Sequence, residues 1–243
     1  MIKSILLCVF SFFLVLAADD EDLTVRFATF NASLNRGSAG ELLADFNTTD
    51  VSQIQSVSEI IQRVRPDVLL INEFDYDETE MVVQLFLENY LKISQANDTD
   101  PIDYPYYYVA PSNTGIPSGV DFDNNNSTSD PNDAFGFGFF PGQFGMLVLS
   151  MYPVDVDSVR TFQKFLWKDM PDALLPINPD TNTSYYSEEA LEVFRLSSKS
   201  HWDVPILVDD TTTIHFLVSH PTPPVFDGPE DRNGRRNHDE RRE

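Results

Sequence analysis

The segment from Asp50 to Glu73 constrains the fold more than any other part of the chain. Val51, Ile54, Val57, Ile60, Ile61 and Val64 recur at helical spacing, and Pro66 ends the pattern. Asp50 followed by Gln53 has the spacing of a capping box, which predicts the helix start. Asp67 to Ile71 then reads as a short strand that is nearly all apolar and does not alternate. Such a strand needs cover on both faces, the situation of an α/β fold. It carries Asn72 and Glu73 at its end. Polar groups at the C-terminal ends of strands are where α/β folds place chemistry.

Other elements follow the same logic. Leu23 to Phe30 alternates as a strand and would deliver Asn31 at its end. A helix is expected over Glu78 to Lys92, its start marked by Asp75, Asp77, Glu78 and Glu80. Strands are expected at Pro105–Ala110, Phe144–Ser150, Val154–Phe162, Val204–Val208 and Thr213–Ser219, the last delivering His220. Residues 111–143 and 169–185 read as loop, and Glu188 to Leu196 as a short helix.

The formal net charge of -23 disfavours polyanionic partners and anionic membranes unless something positive acts locally. At the N-terminus, Lys3, an apolar run from Ile5 to Leu16 and small residues at Ala17 and Ala18 form a signal-peptide pattern over residues 1–18. The run is too short for an ordinary transmembrane helix. The expected compartment is therefore extracellular, with acceptor triplets for glycosylation at Asn47, Asn97, Asn126 and Asn182. The sole cysteine, Cys8, lies in the signal segment. A mature chain from residue 19 would have none, which excludes disulfides, cysteine catalysis and zinc–thiolate sites.

Asn31, Glu73 and His220 thus stand at strand ends. A carboxylate can hold Mg²⁺ or Mn²⁺, a histidine can move protons, and an amide can orient water or phosphate. These are the needs of phosphoester hydrolysis, though spacing alone does not single it out. The stretches Ala28-Thr-Phe-Asn31, Arg65-Pro-Asp-Val-Leu-Leu-Ile-Asn-Glu73, Phe139-Phe-Pro-Gly-Gln-Phe-Gly-Met-Leu-Val-Leu-Ser150 and Phe216-Leu-Val-Ser-His-Pro221 resemble successive motifs of the endonuclease/exonuclease/phosphatase superfamily, which includes deoxyribonuclease I-like enzymes. The resemblance implies an α/β (α+β) fold of four layers, an αββα sandwich, over residues 19–243. It implies Glu73 as metal ligand, His220 as catalytic histidine, and Asn31 as a contact to metal-bound water or phosphate. It also places Gln143 near a position where some members orient the histidine with a glutamate. The implied activity is that of a secreted divalent-metal-dependent phosphoester hydrolase acting on a phosphate-ester substrate.

The sequence also departs from the family. The later Asp-x-Asn and Asp-His segments do not occur after His220, so the domain is expected to lack its C-terminal third. This keeps open an alternative, a catalytically incomplete extracellular homologue that binds a metal or ligand. Asn237-His238-Asp239-Glu240 only echoes those segments and reads as the solvated start of a helix. Arg232, Arg235 and Arg236 read as surface pairs with neighbouring acids, and Lys199-Ser-His-Trp-Asp203 as a structural or rim segment, whose Lys or His could alternatively steer an anionic substrate beside the cleft. His215 is expected on a sheet surface. Asp121, Asp123 and Asn125 follow the oxygen spacing of a Ca²⁺ loop, with Asn126 in the turn and Asp133 near the distal position, but a solvated acidic loop is the preferred reading.

Overall fold

A computed structural model describes residues 23–243. The expected signal segment, with Cys8, lies outside them. Among the described residues no helix is long and apolar enough to cross a membrane.

Strand β1 (Phe27–Leu34) runs parallel to β2 (Val68–Phe74), with Phe27 opposite Val68 and Asn31 opposite Asn72. The register shifts between Asn31 and Leu34, where Ser33 adopts a φ of 50°. β1 therefore starts four residues later than the alternation suggested and continues through Asn31. Leu23 to Arg26 stay outside it, and the Arg26 amide donates to the Asp67 carboxylate at 2.7 Å.

Helices α1 (Glu41–Phe46) and α2 (Ser52–Val64) connect these strands. The expected capping box does not form: Val51 is the N-cap, and Gln53 instead donates to the Ser33 carbonyl at 2.6 Å. Gln53 thereby ties the helix to the irregular end of β1. Ile54, Val57 and Ile61 face the core, while Ile60 and Val64 remain exposed, so the buried stripe is narrower than the sequence pattern. α2 ends where Arg65 turns left-handed before Pro66. Helix α3 (Met81–Phe86) leads into a π turn at Leu87–Leu91. It begins three residues after Glu78, because Asp77 accepts from the Thr79 hydroxyl and the Met81 amide and makes a turn first.

Strands β3 (Tyr106–Val109) and β4 (Met146–Ser150) complete a first sheet in the order β1-β2-β4-β3. The second sheet contains β5 (Arg160–Thr161), and further along the chain come the two-residue strands β6 (Ile177–Asn178) and β7 (Thr183–Ser184), which pair in a segment that read as loop. Helix α4 (Glu188–Val193) is capped by the Ser187 hydroxyl and stops before Leu196. Strands β8 (His201–Leu207) and β9 (Thr213–Ser219) finish the second sheet, ordered β5-β8-β9. Of the expected strand Val154–Phe162 only β5 forms. Val156 is exposed, and Val154 merely bridges to Ile206.

The cores explain why β2 is apolar throughout. Leu69 and Ile71, with Leu147 and Leu149 of β4, pack under Phe46, Ile54, Phe86 and Tyr90 on the helical side. Val68 and Leu70, with Met146 and Val148, pack against Trp202, Val204, Ile206 and Val218 of the second sheet. The outer face of that sheet bears Leu217 and His215 in the open, with no helix over it among the described residues. Among the described residues the layers are thus helices, sheet and sheet.

The C-terminal helix α5 (Arg232–Glu240) departs most from its sequence reading. Arg236, Asp239 and Glu240 are buried rather than solvated. The reason is that they satisfy backbone groups of distant loops. Arg236 donates to the carbonyls of Leu196, Phe135 and Arg195. Asp239 accepts from the Trp167 indole and the Leu174 amide, each at 2.7 Å. Glu240 accepts from the amides of Ser198 and Thr222. Beside this helix lies a third, aromatic cluster of Phe122, Trp167, Tyr186 and Phe194. Replacing Glu240→Ala would leave two buried amides without acceptors. The expected loss of unfolding free energy is about 2–4 kcal/mol, read from urea denaturation; a loss under about 0.5 kcal/mol, typical of a surface change, would contradict the assigned role.

Candidate active site

A cleft of about 1000 Å³ brings together Asn31, Glu73, Lys199 and His220. They come from β1, β2, the loop before β8 and the end of β9.

Glu73 sits near the end of β2 with a left-handed φ of 60°. For a residue with a side chain that conformation costs roughly 1–2 kcal/mol and persists where the surroundings impose it. Here the Phe74 amide bonds to the Gly145 carbonyl and the Asp75 amide to the Leu34 carbonyl, which hold the strand end on both sides. Asp75 is buried next to Glu73, and burial pushes its carboxyl up to about 6 despite amide donors from Arg36 and Phe144. Both oxygens of Glu73 are held: the Asn31 amide donates to Oε1 at 2.8 Å and the Asn35 amide to Oε2 at 3.0 Å. The Asn31 carbonyl oxygen accepts from the Ser33 amide, which fixes which way its side chain points. Asn31 therefore orients Glu73. Asn35 does the same, and nothing in its Gly- and Asn-rich loop singled it out.

His220 follows β9 directly. Its Nδ1 is buried and has no hydrogen-bond partner. Burial, and secondarily the Lys199 ammonium, push its pKa down to about 3, so the ring is neutral at physiological pH. A neutral imidazole can accept a proton or donate one hydrogen bond; it supplies no positive charge.

Lys199 is only 8% exposed. Its pKa falls to about 8, chiefly through burial, while Glu240 and Glu73 oppose the fall. The segment around it thus divides. Trp202 packs between the sheets, and His201 bonds to Ser197 and Glu243, both structural roles. Lys199 lines the cleft. Of the two sequence readings for this segment, the less favoured one, a cation beside the cleft, matches the place of Lys199. His215, on the open sheet face, pairs with Asp203 at 2.7 Å and is remote from these groups in role.

Gln143 does not line the cleft. It accepts from the Phe139 amide and donates to the Arg36 carbonyl, joining two loops. Gln143 thus has no orienting contact with His220, and the position the resemblance suggested is used for loop closure. In the acidic loop, Asp121, Asp123 and Asp133 place one oxygen each within 4.8 Å of one another. Asn126 has the left-handed φ of 66° expected of it. Asn125 is turned away: its carbonyl oxygen accepts from Ser127 and its amide donates to Asp130.

The cleft reverses the charge of the whole molecule. Lys199, Arg232, Arg236 and Arg241 line it, against the two carboxylates of Glu73 and Asp123. Its mouth carries Phe137 and Phe226, and Phe226 is 85% exposed.

The buried neutral state of His220 has a direct consequence. Between about pH 3 and 6.5 the unfolded chain binds a proton on His220 that the folded chain does not. Stability from this site is present in full above about 6.5 and is lost as pH falls towards 3. In NMR titrations the His220 ring signals are expected to stay unshifted from pH 8 to pH 5. An ordinary midpoint near 6.5 would contradict this geometry.

Comparison with known proteins bears on these residues as a set. No curated protein sequence matches the chain. Among solved structures, the crystal structure of an endonuclease/exonuclease/phosphatase from Beutenbergia cavernae DSM 12333 is similar at 13% identity and a TM-score of 0.37. The similarity covers 82% of this chain and 38% of that one, so the chain spans well under half of that protein. A model of the Endonuclease/Exonuclease/phosphatase family matches residues 28–242, from β1 through both sheets to α5 and so across Asn31, Glu73 and His220. The chain belongs to the endonuclease/exonuclease/phosphatase family.

Proposed function

We propose that the protein is an exported, divalent-metal-dependent phosphoester hydrolase. The observation that carries this reading is the pairing, in one cation-lined cleft, of an amide-held Glu73 with a neutral, unpartnered His220. A chain of charge -23 that lines its cleft with arginine and lysine is suited to an anionic ligand there and not elsewhere on its surface.

The donor chemistry fits Mg²⁺ or Mn²⁺. Glu73 offers hard carboxylate oxygens, each fixed by one amide and each with a further lone pair, and the cleft leaves room for water and substrate oxygens. Such an ion, when bound, withdraws charge from a phosphoryl group and stabilises a leaving oxygen. Asn31 and Asn35 keep the carboxylate from rotating. His220, neutral at working pH, takes the proton of the attacking water through a free ring nitrogen or donates to a non-bridging oxygen. Calcium in the acidic loop is the less favoured cation reading, since the side chain of Asn125, the third expected ligand, is bonded to Ser127 and Asp130 instead.

A second reading, a homologue that binds without turnover, is favoured by one observation: among the described residues Glu73 and Asp123 are the only carboxylates lining the cleft. Hydrolysis of bis(4-nitrophenyl) phosphate with Mg²⁺ separates the two. Glu73→Gln is expected to abolish metal-dependent turnover, and His220→Ala to lower kcat by roughly 10²–10⁴-fold, with melting temperatures near the parent's. Turnover retained in Glu73→Gln would sink the assignment, and Mg²⁺ binding by calorimetry without turnover in the parent would favour the second reading. Export rests on the signal pattern at residues 1–18. Expression in a secreting host should give a medium-borne protein whose N-terminus lies just after Ala17 or Ala18; a product retained in the cell with Met1 intact would refute export.

A further inference from the structure

Lys199 is a buried cation without an ion-pair partner among the described residues. Lysine is almost never buried unless paired, because removing an ammonium from water is costly. Yet Lys199 is 8% exposed and forms no ion pair among the described residues. Its Nζ has a single polar contact, a long one of 3.4 Å to the neighbouring Ser198 hydroxyl. Glu240, the acid whose charge acts most on Lys199, is already engaged by the amides of Ser198 and Thr222.

The loop that carries Lys199 is held rigidly, which a merely misplaced side chain would not require. The Asn113 amide N–H donates to the Lys199 carbonyl at 2.8 Å, and the Asn113 side chain donates to the Ser197 carbonyl at 2.7 Å. Gly136 passes so close that a Cβ there would stand 1.7 Å from the Ser198 carbonyl oxygen. Only glycine permits that approach. The amine that results lines the same cleft as Glu73 and His220.

We propose that Lys199 is the phosphate-binding cation of the cleft, its ammonium donating to a non-bridging oxygen of the phosphoryl group that Glu73 would face. This rests on the phosphoester reading above. A fixed, poorly hydrated ammonium suits the task, because a charge-assisted hydrogen bond is stronger where water does not compete for it. The cost of keeping the amine dry falls on stability, and an anion offsets it.

The test is the affinity for inorganic phosphate, measured by calorimetry without divalent metal. Lys199→Met removes the charge and keeps the bulk. It is expected to weaken phosphate binding by at least about 10-fold with a melting temperature equal to or above the parent's, since no ion pair is lost. Lys168→Met, a charge-matched change at a half-buried lysine paired with Glu192 and outside the cleft, should leave the affinity unchanged. Unaltered phosphate affinity in Lys199→Met, or no phosphate binding by the parent, overturns the proposal. Should Lys199→Met fail to fold, the ¹⁵Nζ resonance of Lys199 in the parent decides. A shift that tracks phosphate supports the assignment, and an unmoved resonance overturns it. A parent that binds phosphate through Lys199 but hydrolyses no ester would sink the hydrolase reading while leaving this one standing.

Discussion

β2 has no solvent-facing side. Helices lie on one face through Leu69 and Ile71, and the second sheet lies on the other through Val68 and Leu70. At roughly 25 cal/mol per Å² of apolar surface removed from water, such two-sided burial places this strand's backbone firmly. Its position decides that of Glu73, which follows in the same strand. Because β1 is paired to β2 through Asn31 and Asn72, the amide that steadies Glu73 is positioned by the same ladder. The cleft begins where this buried strand meets solvent.

The elements that were legible in the sequence are those whose signal is local. The apolar periodicity of α2, the uninterrupted strand after Pro66 and the alternation of β9 could be read because each follows from one element and its own cover. Glu73 and His220 could be named because they end such strands within recognisable motifs. What escaped depends on partners far away in the chain. Asn35 matters through Glu73, 38 residues on, and Gln143 through Arg36, 107 residues back. The polar helix α5 looked solvated because its composition is hydrophilic. Its side chains are buried as hydrogen-bond acceptors and donors for loops up to 101 residues distant, a use that no periodicity displays. The expected capping box illustrates the same limit, since Gln53 has a better partner in the Ser33 carbonyl than its own helix provides.

Charge is distributed in two opposed ways. The molecule as a whole is strongly anionic, while the cleft is lined mainly by cations. The arginines there are largely engaged: Arg232 pairs with Glu230, and Arg236 is occupied by three carbonyls. Lys199 lacks such partners, which leaves its charge directed into the cleft. That same charge, added to burial, helps keep His220 unprotonated. The neutral histidine and the unpaired lysine are therefore two results of one dry environment, and a change in hydration at the cleft would alter both.

The carboxylate of Glu240 bridges the Ser198 amide to the Thr222 amide. One of these lies immediately before Lys199 and the other two residues beyond His220. A single side chain from α5 therefore sets the spacing between the amine and the imidazole, as a strut sets the gap between two arms. The pair should behave as one mechanical unit. Motion of α5 would widen or narrow the gap without disturbing Glu73, whose supports belong to the other sheet.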